Sequence, residues 1–344
     1  MDETKQRIRN SSIDIFRCIC AVMVVAIHTN PFTDVSEGLG FVFSQVLTRV
    51  AVPFFFAAAG YFYMQKLEKG QKPFFAYMKK LLTTYLIWSC FYFLIDFIQW
   101  GHSDFKDFVL SSAYKFAVTG SSYQFWFFPA LIFSVCFTTF LFRIKGRKIV
   151  IPLSIVLYII GCLGCSYYEL GVQIPILRNL FAFSGFETIR RVFLMGLPYF
   201  VSGYLVYKLQ SKTESKISNK MLLFIRLGCA VIWLTEIGIV KGLKIADNIV
   251  ITPGLYLLVV VTLAVLLRNP LPKFRSLSSA CRVVANFTFY SHPFFIMCLG
   301  SFADNILNKT FTQTPMFLIT VCLTAIGGLI IYKLNNKFLN ALVK

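Results

Sequence analysis

The sequence predicts an all-α fold, a polytopic integral membrane helix bundle of about ten transmembrane helices with both termini cytoplasmic. Three observations lead there. Of 344 residues, 57% are hydrophobic and only 14% charged, against about 25% charged in an ordinary soluble domain. Apolar runs of roughly 18–22 residues recur along the chain, long enough to cross the hydrocarbon core as helices. Lys and Arg gather in short clusters between those runs, as the positive-inside rule requires. A soluble α/β fold has no use for 38 Phe placed in such runs. Continuous rather than alternating hydrophobicity also excludes a β-barrel.

The expected spans, in order, are 13–33, 39–64, 81–100, 122–142, 149–166, 192–209, 221–240, 249–267, 283–303 and 315–334. They divide the chain into a cytoplasmic tail (1–12), a transmembrane domain (13–334) and a second cytoplasmic tail (335–344). Alternate connections, with the two tails, hold 23 positive residues on one side, including Lys5, Arg7, Arg9, Lys79, Lys80, Arg147, Lys216 and Lys344. The other side holds 8, including Lys115, Arg190, Arg191 and Lys309. That asymmetry sets the orientation, with both termini in the cytoplasm. It also accounts for the net charge of +19, so the expected partner is the lipid bilayer and not a nucleic acid.

Most of the ten cysteines lie inside apolar runs, where Cys behaves as a small hydrophobe. Cys162 and Cys165 form a lone C-x-x-C without a companion pair or a nearby His, so no metal site is expected. No small-residue cleavage site follows the first apolar segment, which is expected to stay as an anchor. Two connections on the less basic side are long. Residues 101–121 have a moderately apolar middle, expected as a re-entrant or surface helix. Residues 166–191 form the longest outer stretch, and long loops in compact domains are often functional.

The first span, "IDIFRCICAVMVVAIHTNP", carries Asp14, Arg17 and His28, in a chain with three histidines. Residues eleven apart on a helix differ by about 20° in azimuth and roughly 16 Å in height. Arg17 and His28 therefore share one face, with Ala21 and Val24 between them, and Asp14 is spaced to pair with Arg17. Ionisable groups in a span are costly and face a cavity or each other. An imidazole can reach both protonation states, which suits general-base chemistry. In the second span, Pro53 cannot donate to the carbonyl of Arg49, so a kink is expected where that cation enters the membrane. Arg49 then either bridges helices or meets a ligand. Tyr123, Gln124 and Trp126 open the fourth span, as aromatic-belt residues or as site residues. Glu187, Arg190 and Arg191 are expected just outside the sixth span. His292 and Pro293 lie in the ninth, where the imidazole either bonds a helix carbonyl or meets a ligand.

The ordered segments "IDIFRCICAVMVVAIHTNPF", "RVAVPFFFAAAGYF", "FWFFPALI", "RRVFLMGLPYFVSGYLV" and "FYSHPFF" resemble the acyltransferase type 3 family over nearly the whole chain. The resemblance implies a multi-pass acyltransferase of the bacterial cytoplasmic membrane. It would move an acyl group, acetyl first, from cytoplasmic acyl-CoA to an extracytoplasmic hydroxyl acceptor such as a cell-envelope glycan. It implies His28 as general base and Arg17 toward the acyl-CoA side, with Lys79 and Lys80 on the donor side. Arg49, Tyr123, Trp126, Glu187, Arg191 and His292 would contact substrate. Acyl-CoA would be a substrate, and no permanently bound cofactor is implied. There are two departures, the first of which weakens the donor site. Lys80 and Thr83 stand where the family has an R-x-x-R motif, and neither matches the arginine fork. Gln124 stands where a histidine is common. The sequence is also similar to the membrane half of VanT-type serine racemases of vancomycin-resistant bacteria. That likeness implies the alternative of L-serine uptake for a fused or partner cytoplasmic racemase domain. Both readings expect one cavity lined by Arg17, His28 and Arg49.

Overall fold

A computed structural model of the chain describes residues 10–101, 104–213, 217–246, 249–308 and 310–343, and among these every regular element is helical. The expected tail 1–12 is thus described only from Asn10, and Lys216, Lys309 and Lys344 lie outside the described residues.

Helix α1 (Ser11–Thr29) is followed by a second run built from α2 (Glu37–Phe41), a π turn (Val42–Val46), a 3-10 turn (Leu47–Val50) and α3 (Ala51–Glu68). Next come α4 (Phe74–Ile98), the short α5 (Phe105–Tyr114) with its own π turn (Lys115–Thr119), α6 (Phe127–Arg143) and α7 (Arg147–Leu163). A connection with three short helices follows: α8 (Tyr168–Gly171), α9 (Pro175–Phe181) and α10 (Phe186–Ile189). It passes through a π turn (Arg190–Gly196) into α11 (Leu197–Thr213). Helices α12 (Asn219–Gly242), α13 (Pro253–Arg268), α14 (Arg275–Phe302), α15 (Gln313–Leu334) and α16 (Lys337–Leu342) complete the order.

Seven helical runs are long and apolar enough to cross a membrane, and α6 and α13 are shorter apolar helices. With α7, a helix of 17 residues, they correspond one to one to the ten expected spans. Four starts move by five residues or more: the fourth span begins later, at Phe127, and the ninth earlier, at Arg275. The third span starts at Phe74, a full two turns before residue 81, because nothing in "FFAYMKK" breaks a helix. The sixth belongs to a continuous helical run from Phe186 to Gln210. Glu187, Arg190 and Arg191, expected outside that span, are therefore built into its helix.

Helix α1 packs against α14, α3 and α15. Its start is fixed by Asn10, whose side-chain oxygen accepts from the Ile13 N–H at 3.3 Å while its amide donates to the carbonyls of Leu266 and Leu267 on α13. One side chain thus caps one helix at its N-terminus and the other at its C-terminus. The tightest packing joins α3 and α11. A Cβ on Gly60 would stand 1.8 Å from the Phe200 carbonyl oxygen, and one on Gly203 would stand 2.1 Å from that of Ala57. Small residues let the two backbones touch, which is how helices associate where lipid removes the hydrophobic drive.

Helix ends rich in Lys and Arg collect at one end of the bundle, here termed the basic end. Glu68 closes α3 there, bound by Lys208 at 2.5 Å and by the Tyr204 hydroxyl at 2.9 Å, with Arg147 at 3.9 Å. Residues 335–343, expected as a tail, fold back beneath the bundle. Trp88 Nε1 donates to the Leu342 carbonyl at 2.9 Å, and Asn286 Nδ2 donates to that of Val343 at 2.8 Å. At the opposite, far end, α5 shows no buried residue, in keeping with a surface helix.

Candidate functional site

Two polar groups of residues lie on either side of an aromatic layer, and α1 runs through both. At the basic end Arg17 Nη2 donates to Asn286 Oδ1 at 3.2 Å, and its guanidinium lies 6.0 Å from the Phe55 ring centre. These residues wall a cavity of about 580 Å³, with Asp14, Lys80 and Arg282 among its lining. A second cavity of about 740 Å³ shares Arg17, Lys80, Arg282 and Asn286 and extends to Lys333. Ligand sites commonly span about 300–1,000 Å³. Lys80 lines both cavities, whereas Lys79 lines neither. On the neighbouring turn Thr84, not Thr83, faces the first cavity.

The sequence reading did not single out Arg282 and Asn286 as site residues. They lie four apart on α14, and Phe289 and Pro293 continue the same row at helical spacing. That row was legible as a polar stripe entering an apolar helix. Its meaning came only with the packing of α14 against α1.

The inner wall of the first cavity includes Phe55, Phe127 and Phe289. Their ring centres lie 5.6–6.3 Å apart, each pair edge to face, a favoured aromatic arrangement. Beyond this layer stands the far-end group. The His28 ring lies 4.6 Å from that of Tyr123 and 5.3 Å from that of His292. Arg191 stacks on Trp126 at 5.5 Å, and Trp126 backs onto Phe56 at 6.0 Å. Glu187 holds both neighbouring arginines, Arg190 and Arg191, each at 2.6 Å. His28 is exposed in the last turn of α1, at the far rim rather than deep in the bundle, and is within electrostatic reach of Arg191. Neither His28 nor Arg49 lines the Arg17 cavity. In place of the expected single cavity the polar residues form two half-sites, and Phe55, Phe127 and Phe289 line the first on the side of His292.

Arg49 turns back on its own helix. Its Nε donates to the Gln45 carbonyl at 3.1 Å and its Nη2 to the Gln45 side chain. The backbone distortion lies in the π and 3-10 turns preceding Pro53, which itself sits in the first turn of α3. Nearby, outside the spans, Asp34 accepts from the Thr314 N–H at 3.1 Å and from the Thr314 hydroxyl. The Thr314 hydroxyl is the main cause that holds its carboxyl below the ordinary 3.8.

A family model described as an acyltransferase domain, the acyltransferase 3 group, matches residues 10–333. The chain belongs to the acyltransferase 3 family. Within this family's match fall Arg17, His28 and both half-sites. Among curated relatives, an amino-acid racemase of Enterococcus faecalis is 33% identical over 228 residues, 64% of this chain and 32% of the relative. Another amino-acid racemase of that organism is 30% identical over 49% of this chain and 24% of its own length. A serine/alanine racemase of Enterococcus gallinarum is 33% identical over 49% of this chain and 25% of its own length. The matched region spans between a quarter and a third of these relatives. No solved structure matches the chain.

Proposed function

We propose that this acyltransferase 3 chain moves an acyl group, acetyl first, from an acyl-CoA at the basic end to a hydroxyl acceptor at the far end, with His28 as general base. The carrying observation is that α1 bears Arg17 in a cation-lined cavity and His28 among aromatic and polar side chains, with the Phe55–Phe127–Phe289 rings lining that cavity. On this reading the basic end faces the cytoplasm. Arg17, Lys80 and Arg282 hold the donor's phosphates, for which a cluster of fixed cations is the natural partner. The acyl thioester reaches His28 past the phenylalanine layer. His28 accepts the acceptor's hydroxyl proton, the oxygen attacks the thioester carbonyl carbon, and the carbon–sulfur bond breaks. The leaving thiolate takes the proton back, leaving an ester and free CoA thiol.

The purified protein is expected to bind acetyl-CoA, with affinity falling in Arg282→Ala. No binding at about a millimolar acetyl-CoA by demonstrably folded protein sinks the reading. The curated relatives' names favour a second one: the membrane portion of a serine racemase, admitting L-serine for a racemase domain. Arg191 would then hold the amino-acid carboxylate. Uptake of labelled L-serine into proteoliposomes, abolished by Arg191→Ala, would select it.

A further inference from the structure

His292 is wholly buried, yet only half of its ring is satisfied. Its Nδ1 lies 3.0 Å from the Thr288 carbonyl and 3.1 Å from that of Phe289. Both are acceptors, so Nδ1 must carry the proton, and Nε2 is left as a bare lone pair. The sequence explains why the ring is held this way. Pro293 has no N–H to give the Phe289 carbonyl four residues back, and the His292 ring takes that empty place. The His-Pro dipeptide thereby fixes the tautomer.

Nε2 has no hydrogen-bond partner. A buried acceptor without a donor is costly, and such an atom points to a donor that arrives in another state. The His292 ring has as ring neighbours His28, with centres 5.3 Å apart and planes 23° apart, and Tyr123, with centres 6.3 Å apart. Two imidazoles joined edge to edge by an N–H···N bond have centres about 5 Å apart, from a bond near 2.9 Å and two ring radii. The His28 and His292 rings, stacked here, already have the centre separation of that bond, which forms when His28 turns edge-on to Nε2.

We infer that His292 is a positioning residue: its Nε2 accepts the N–H of His28, which fixes the His28 tautomer and orients the opposite nitrogen toward the far-end substrate. This rests on His28 acting as the base, as proposed above. When His28 takes the acceptor's proton on one nitrogen, the hydrogen on its other nitrogen stays directed at His292, so the charge formed on the ring is stabilised and no second proton moves. A base held by a third group recurs across nucleophilic sites.

Nitrogen-15 spectra of histidine-labelled protein in nanodiscs test this without acyl donor or acceptor, so failure of acyl transfer leaves it standing. Three histidines make the assignment tractable, with His102→Gln removing the third. At about pH 8, where imidazoles are neutral, His292 is expected with Nδ1 protonated and Nε2 bare, and His28 as one dominant tautomer. In His292→Phe the His28 tautomer ratio should relax by about tenfold, the effect of one hydrogen bond. His292→Gln, whose carbonyl oxygen reaches about as far as Nε2, should restore it. An unchanged ratio in His292→Phe overturns the inference, as does an equal change in both variants, which would be repacking. An Nε2-protonated His292 in the unaltered protein overturns it without any variant.

Discussion

Arg17 donates to Asn286 at 3.2 Å, and Asn286 in turn donates to the Val343 carbonyl at 2.8 Å. One amide thus ties α1 to the segment folded beneath the bundle, at the wall that both basic-end cavities share. Replacing Asn286 by Leu removes both bonds while keeping the volume. Acetyl-CoA affinity should fall by about tenfold, as Arg17 loses its orientation. Isothermal titration of the two proteins measures it.

His28→Ala should separate binding from chemistry. His28 does not line the Arg17 cavity, so donor affinity should hold within about twofold, while transfer falls by about 100-fold or more, the usual loss of a general base. Parallel binding and single-turnover measurements distinguish this from loss of fold.

Gly203 and Gly228 should respond oppositely to alanine. A Cβ on Gly203 meets the Ala57 carbonyl oxygen and the Tyr61 nitrogen, both backbone atoms. Gly203→Ala should cost about 1–3 kcal/mol. Nothing lies within 4 Å of a Cβ on Gly228. Gly228→Ala should be neutral or stabilising by about 0.5–1 kcal/mol through helix propensity. Thermal unfolding followed by size exclusion compares them.

The Asp34–Thr314 contact gives a pH dependence with a definite sign. The carboxyl titrates below its ordinary 3.8 in the fold. Its contribution is complete above that value and is lost as pH falls through the lower, folded one. Protection of the Thr314 amide from hydrogen exchange should weaken only below about pH 4. Asp34→Asn should show weakened protection even at neutral pH.

The spans were legible because each apolar run is long and each gap is basic or turn-rich. All ten expected spans correspond to helices, but the starts at Phe74, Phe127, Phe186 and Arg275 lie five residues or more from those expected, since an interfacial helix turn and a membrane turn look alike in sequence. The half-sites were less legible. Spacing along α1 gave the shared face of Arg17 and His28 but not what fills the space between them. Phe55, Phe127 and Phe289 come from three helices, and no one-dimensional pattern shows that they meet. Gln45 likewise hid in plain view, one turn before the Arg49 that it holds.

The three rings between the half-sites also bear on the cell that houses them. A water-filled path from face to face would let ions run down the membrane potential, which stores about 2.3 kcal/mol per charge for each 100 mV. Phenyl rings offer such ions no hydration, while an acyl chain is chemically at home among them. On the acyl-transfer reading proposed above, these rings would let an acyl group cross without opening a leak in the membrane that powers the cell.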